Sequence, residues 1–574
     1  MAKIKTEVVI VGAGAAGAIL AAELCKVGMK VVALERGPKL KTIDFNPHDE
    51  LRFFQRQDTR PDPKKSVVTW RFNTNMKSQP LNSMSYGNQV GGGTVHYGAL
   101  SWRNHEDDFR VRTATIERYG EKFLPEGSDV TDWPISYADL EPYYDKAEYD
   151  LGVSGRAGNI NGQKIAGGNI FEAPRKREYP MPPLRTDIAS DTFDKATKNL
   201  GLHPFISPRA ILSEPYKDRP GCTYCGFCQT FGCHVGAKSS TLVNKIPEAE
   251  ETKNFTVITG AMCHRVNTDS AGKATGVSFY GPDGSDNQVE ADLVILAPFV
   301  YDNVRLLMLS KTAVHQNGLS NSSGLLGKGL MTHIRPSVFV AFDDKKINIY
   351  MGPNAQRHSI DDYNADNFDH KDLGFIRGGQ ISIGTAGQQG GPMGAAINMV
   401  PPPGIPRYGA AYRDWYAKYF ASHMSIGLQI EDLPYLNQTI DLDPDVRDAW
   451  GLPAPRITYD WRRPNELKSV AFLTKKIEEI GKAMNAKYVW MGDRAQPGAP
   501  GGHHTGGTRM GTRPDNSVVN KYCQSWDIPN LFVVGSSTFP TMSGYNSTLT
   551  IEAQAYFVAD AITKRYRQAP GPLV

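Results

Sequence analysis

The sequence predicts an α/β protein, α+β overall, in which a parallel nucleotide-binding sheet is interrupted by a second, sheet-based domain. Three observations predict this. A β-branched run, a glycine turn and an apolar helix open the chain within its first 35 residues. The stretch 335–480 alternates short strand-like runs with Gly- and Pro-rich loops. The last segment, Leu531-Phe532-Val533-Val534 and then a helix from about 547, returns to the strand–loop–helix style of the start. The expected division is 1–334 for the first domain, with a cysteine-rich loop at 221–236, then 335–480, then a return to the first domain over 481–574.

The opening elements carry their own logic. Val8-Val9-Ile10-Val11 is a short run of the kind buried in a parallel sheet. It leads into Gly12-Ala-Gly14-Ala-Ala-Gly17, a helical stretch ending at Gly28, a second run at Val31–Leu34, and Glu35. In such a βαβ unit Gly12 permits the tight turn, Gly14 admits a pyrophosphate and Gly17 lets helix and strand pack closely. The helix N-terminus offers N–H groups to phosphate, and Glu35 is placed to accept from a ribose hydroxyl. Further on, Val90-Gly91-Gly92-Gly93-Thr94-Val95-His96 suits backbone pressed against a ligand. Ser136 reads as the N-cap of a helix from Tyr137. Strands are expected at 255–259, 276–280 and 293–296.

Composition narrows the function classes. Apolar residues make up 40% and charged residues 22% of 574, an ordinary globular balance. The 64 basic and 60 acidic residues leave a net +4 with no run of five like charges, so nucleic acid is not expected as a partner. No apolar stretch approaches the length of a membrane-spanning helix. The N-terminal MAKIKTEVVIVGAG passes straight into a strand, so the chain is expected to carry no export signal of its own.

Four of the seven cysteines, Cys222, Cys225, Cys228 and Cys233, fall within twelve residues among interleaved glycines. Thiolates at such spacing let one loop wrap an iron–sulfur cluster, and a zinc site would normally draw two pairs from separated segments. Iron–sulfur is therefore favoured over zinc or unligated thiols, with [3Fe–4S] and [4Fe–4S] both open. Cys25, Cys263 and Cys523 read as inert core residues. Near the C-terminus, Gly501-Gly502-His503-His504-Thr505-Gly506-Gly507 places two histidines amid glycine, and Met542–Thr550 forms a polar loop feeding a helix. An imidazole and the Asn546 carboxamide held over a redox cofactor would suit alcohol oxidation, with a structural histidine as the alternative.

Together these motifs resemble the glucose–methanol–choline (GMC) oxidoreductases. Val90–Thr94, Leu293–Ala297 with Asn303 and Arg305, and Leu326–Met331 follow that family's order, and its C-terminal pattern registers on His503, Gly506, Arg509, Met510 and Gly511. The resemblance implies a p-hydroxybenzoate-hydroxylase-like architecture that binds FAD, with His503 as catalytic base and Asn546 orienting the substrate oxygen. It implies cofactor contacts from Gly12, Gly14, Gly17, Glu35, Gly91, Gly92, Gly93, Thr94, Ser536, Asn546 and Thr548. Phe299 stands where many members have glycine. His96 lies close to where some members tether the flavin, and noncovalent FAD is expected. The cysteine loop is similar to that of gluconate 2-dehydrogenase flavoproteins and iron–sulfur-containing FAD sugar dehydrogenases. That implies a sugar or sugar-acid substrate, metal ligation by Cys222, Cys228 and Cys233 with Cys225 as a fourth ligand or a spare, and a non-oxygen electron acceptor. It also implies a small subunit bearing the export signal, a cytochrome c subunit and a periplasmic location. A glucoside 3-dehydrogenase, and a non-catalytic flavin or zinc-binding redox subunit, are the rival readings. Gln429, Glu431, Asp432 and Trp490 are the expected specificity positions.

Overall fold

The structure is a computed structural model that describes residues 3–46, 48–81, 86–348, 357–384, 391–492 and 502–573. The strand Lys3–Val11 lies at the centre of a seven-stranded sheet because Val8, Val9 and Ile10 present apolar surface on both faces and are fully buried. Val31–Glu35 and then Phe255–Thr259 follow it in parallel on one side, and Asp286–Leu296 pairs in parallel on the other. That last strand is long enough to serve two neighbours. Its first half takes the antiparallel Ala274–Tyr280, and its second half takes Leu531–Val533 in parallel. The C-terminal segment thus returns to the first domain, as the sequence pattern predicts.

Helix Ala15–Lys26 packs its small side chains against helix Thr548–Ala561, which in turn packs on Tyr137–Leu151. Ser136 caps the last of these, accepting from the Asp139 amide in a reciprocal capping box. Gly17 shows why the first turn is so tight. A Cβ there would stand 1.9 Å from the Gly12 carbonyl oxygen.

The second sheet is antiparallel, with strands in the order Tyr488–Met491, Ser337–Ala341, His423–Ile430, Gly379–Ile383, His358–Ile360 and Phe205–Ile206. Alternation decides its two faces. Ile381, Ile383, Ile426 and Ile430 point to helix Pro464–Ala483, meeting Leu473, Ile477 and Ile480 in a dry core. Each such side chain contributes about 1.5–3 kcal/mol through burial. Gln380, Ser382 and Gln429 point the other way, into a cavity.

The expected boundaries at 334 and 480 do not follow the sheets. Position 480 falls inside helix Pro464–Ala483, and the sheet continues to Met491. Phe205–Ile206 adds an edge strand from far upstream. Conversely Pro453–Thr458 pairs in parallel with Thr69–Arg71 and antiparallel with Thr439–Arg447, and Ile440, Ile457 and Tyr459 join the core of the nucleotide-binding domain. Long-range pairing sets these borders, and local composition carries no trace of it.

Candidate active site

A cavity of about 1120 Å³ runs from the carboxyl ends of the parallel strands to the polar face of the second sheet. Its first end is nucleotide-shaped. Gly12, Gly14, Glu35, Gly92, Gly93 and Thr94 line it. The two glycine segments zip together there: the Gly91 amide donates to the Ala13 carbonyl at 2.8 Å, and a Cβ on Gly92 would stand 2.9 Å from the Gly14 Cα. Glu35 is buried and accepts from the amides of Gly37 (2.9 Å) and Ala13 (3.1 Å), with burial pushing its proton affinity up. Ser536 and Thr548 also line the cavity, the latter at the start of helix Thr548–Ala561. Gly17 and Gly91 do not reach the cavity. Gly17 serves helix–strand packing, and Gly91 packs against Leu242.

His504 lies between the two ends. It is buried against Phe299 and Tyr301, and neither ring nitrogen has a partner among the described residues. Unpaired polar atoms buried on a cavity wall fit a heteroaromatic ligand that supplies the missing hydrogen bond. Phe299 also lines the cavity and stacks on Tyr86 at 4.3 Å. A dinucleotide with a flavin ring fits this set of residues.

At the far end His503 and Asn546 meet. Gly501 lies outside the described residues. His503 has φ +63°, a left-handed backbone that costs a non-glycine residue roughly 1–3 kcal/mol. The loop holds it there through paired bonds between Met331 and Thr505 (2.9 and 3.0 Å) and from the Thr332 hydroxyl to the Gly502 carbonyl (3.1 Å). Asn546 Nδ2 lies 2.9 Å from His503 Nε2, and Gln429 Nε2 steadies Asn546 by donating to its Oδ1 at 3.3 Å and to the Gly544 carbonyl at 3.0 Å.

The other ring nitrogen has two suitors. His333 donates from Nε2 to the Ser543 carbonyl (2.7 Å) and so turns an unprotonated Nδ1 toward His503 Nδ1, 3.1 Å away. Arg335 Nη2 sits 2.6 Å from the same atom and can only donate. The two contacts ask for opposite tautomers: a proton on Nδ1 is shared with His333 and leaves the Nε2 lone pair facing Asn546 and the cavity, whereas acceptance from Arg335 at Nδ1 puts the proton on Nε2. Burial, then the charge of Arg335, hold the His503 proton affinity well below the ordinary 6.5, so the ring is neutral at neutral pH. His333 is pressed down to about 3 by the same two causes. The sequence reading found His503, Asn546 and Gln429 but missed His333 and Arg335, whose only signal is a His-x-Arg that follows the 326–331 glycine segment. Glu431, Asp432 and Trp490 are not at the cavity. Glu431 pairs with Arg377 at 2.8 Å, Asp432 accepts from the Thr332 amide and the Tyr459 hydroxyl, and Trp490 packs on Phe339.

The cysteine loop lies beside the middle of the cavity. All four thiols are free, and burial together with their mutual proximity raises Cys222 to about 11 and Cys228 to about 12. Among the described residues one group brings its metal-binding atoms within 4.8 Å of one another: His48, Cys225 and His234. Cys222, Cys228 and Cys233 stand outside that group, so the four cysteines are not drawn into a single nest. Nearby, Lys238 is buried with its ammonium on the carbonyls of Phe231 (2.7 Å), Tyr97 (3.2 Å) and Cys228, and no described carboxylate pairs with it.

Comparison with known proteins agrees with this geometry. GMC oxidoreductase N- and C-terminal families match residues 6–335 and 434–555. The gluconate 2-dehydrogenase flavoprotein of Pantoea cypripedii is 34% identical over 99% of this chain and 95% of its own. The fructose dehydrogenase large subunit of Gluconobacter japonicus is 29% identical over 98% and 99%. Among solved structures, pyridoxine 4-oxidase from Mesorbium loti shares the fold, with a TM-score of 0.58 and 15% identity over 99% of this chain and all of that one. A glycine-cradled nucleotide end, a histidine and an asparagine at the substrate end, and full-length matches of this kind place the chain in the GMC oxidoreductase family of flavin enzymes acting on CH–OH groups.

Proposed function

We propose that the chain is an FAD-dependent dehydrogenase that oxidises a hydroxyl of a sugar or sugar acid and passes electrons to an acceptor other than oxygen. The observation that carries this reading is the His503–Asn546 pair, held where the nucleotide-binding end of the cavity meets the polar face of the second sheet. When bound, FAD supplies the acceptor for hydride leaving the carbinol carbon. The protein's own part is proton chemistry and positioning. Asn546 Nδ2 donates to the substrate oxygen, and His503 Nε2 takes the hydroxyl proton. In the tautomer that acts, His333 holds the ring proton on Nδ1, so that Nε2 is the base. Gln380, Ser382 and Gln429 offer hydrogen bonds to further hydroxyls.

The low proton affinity of His503 makes a pH prediction. A base must be unprotonated, so the rate of flavin reduction should hold from neutrality down past pH 6.5 and fall only at more acid values, as the ring gains its proton. Arg335→Gln removes one cause of that low affinity, so its acid limb should move to higher pH. Stopped-flow reduction across pH reads this, and an unmoved limb would contradict the assignment of His503 as base.

Cys222, Cys225, Cys228 and Cys233 would hold an iron–sulfur centre if the loop closed from its present spread around it, and such a centre would supply a one-electron exit. Lys238 supports this, because a buried ammonium without a carboxylate favours an anionic sulfur centre beside it. Iron and acid-labile sulfide analysis of anaerobically purified protein tests it. Cys228→Ser should lose iron and turnover with one-electron acceptors while flavin reduction by substrate persists. Zinc without iron would sink the electron-exit reading. Relatives named as a flavoprotein and a large subunit support a partnered enzyme, with a small subunit carrying the export signal, a cytochrome c as acceptor and a periplasmic location. Co-expression followed by co-purification tests the assembly.

A further inference from the structure

We propose that the substrate is an anion, a sugar acid whose carboxylate is received by Arg209 and Arg357 on the wall of the cavity. This rests on the dehydrogenase reading above and names the substrate class within it. Both side chains line the cavity and both are buried, at 5% and 3% exposure. Arg209 spends one nitrogen, Nη1, on the Gly98 carbonyl at 2.8 Å, and its Nε has no partner. Arg357 meets Asp187 at 3.1 Å through Nη1, while Nε and Nη2 have no partner among the described residues. The two segments are tied together by the Ser207 amide, which donates to the Arg357 carbonyl at 2.9 Å.

A guanidinium does not shed its proton to escape burial, so an unpaired N–H on it keeps its full desolvation cost. Burial and the charge of Arg357 press down on the proton affinity of Arg209, the direction expected where a counter-ion is missing. Three other arginines on this wall have carboxylates: Arg36 meets Asp302 at 3.5 Å, Arg305 meets Asp448 at 2.6 Å and Arg357 meets Asp187 at 3.1 Å, so of these four Arg209 is the one left without an acid among the described residues. The acidic residues lining the described cavity, Glu35 and Asp302, both belong to the nucleotide end. The remainder therefore presents fork-shaped donors and no carboxylate, the complement of a bidentate acid group.

Sheet register supplies the path between the reacting end and this receptor. Gln429, which steadies Asn546, is the cross-strand partner of Gln380. Ser382, two residues on along the same face, pairs with Ser359, and Arg357 lies just before that strand. Gln380 to Ser382 covers about 7 Å, so polar groups line a short polyol chain along its length.

The test uses the FAD-loaded enzyme, anaerobically, with gluconate and its uncharged counterpart glucitol. Gluconate should reduce the flavin with a kcat/KM about 10- to 100-fold higher than glucitol, and Arg357→Gln should remove most of that difference, chiefly through the KM for gluconate. Because Arg357→Gln also loses the Asp187 contact, a second measurement needs no variant. Butanoate should inhibit the unmodified enzyme competitively, while butanamide should not. Glucitol or glucose working as well as gluconate, with butanoate inert, would overturn the anion assignment and leave the dehydrogenase standing. Both arginines lie within electrostatic reach of the Cys228 thiol. Iron loss from Arg209→Gln and Arg357→Gln, with no change in acid preference, would therefore assign them to the sulfur centre and also overturn the proposal. Flavin untouched by acid, sugar and polyol alike would overturn the dehydrogenase reading itself, and this inference with it.

Discussion

Replacing His503 by alanine is expected to slow flavin reduction by about 10²- to 10⁴-fold, the range supplied by a positioned general base. FAD content should not change, because His503 lies at the substrate end, away from the glycine cradle. Asn546 and Gln429 remain to orient the substrate, so the loss should fall on the rate constant for reduction more than on substrate affinity. Added imidazole restoring part of the rate would locate the defect in proton transfer. Normal turnover by His503→Ala would end the catalytic assignment, leaving His503 as a strained loop residue without a role.

Gly17→Ala is expected to yield protein largely free of flavin and with a lower melting temperature. The new Cβ would fall 1.9 Å from the Gly12 carbonyl oxygen and 3.3 Å from Ile10 Cγ2, so helix Ala15–Lys26 must move off the strand. Overpacking of this kind costs about 1–3 kcal/mol. The larger consequence is positional. Moving the helix displaces Gly14 and the amides beyond it, so the phosphate-binding end no longer faces the cavity. The ratio of flavin to protein absorbance, with a melting curve, checks this. Full FAD content and an unshifted melting curve would show that the turn has slack the structure does not display.

These two positions also mark how far the sequence can be read. The nucleotide unit was legible because its determinants are local: the turn, the helix and the acid fall within 35 residues, and each residue type has one physical reason to be there. His503 and Asn546 were legible because a polar pair amid glycines is poor core material. Arg335 and His333 were not, since they meet His503 across about 170 residues and nothing in their own neighbourhood announces it. Glu431 and Asp432 misled for the opposite reason. They follow the cavity-facing Gln429 closely, but the chain leaves the strand at Ile430 and carries both carboxylates into buried contacts with Arg377 and Tyr459. The cysteine loop was legible as sulfur chemistry, whereas the meeting of Cys225 with His48 and His234 spans nearly 180 residues. The domain borders depart from the sheets on the same ground, because Phe205–Ile206 and Pro453–Thr458 find their sheets by long-range pairing.

The two-faced second sheet has a consequence for how such an enzyme changes over time. Ile381 holds the fold through one face, while Gln380 and Ser382, its immediate neighbours in the chain, line the cavity through the other. Stability and selectivity are thereby written in alternate letters of the same strand. Substitutions at Gln380 and Ser382 reshape the cavity wall from the face of the strand opposite Ile381. That separation does not extend to His503, where one backbone conformation serves both ends at once.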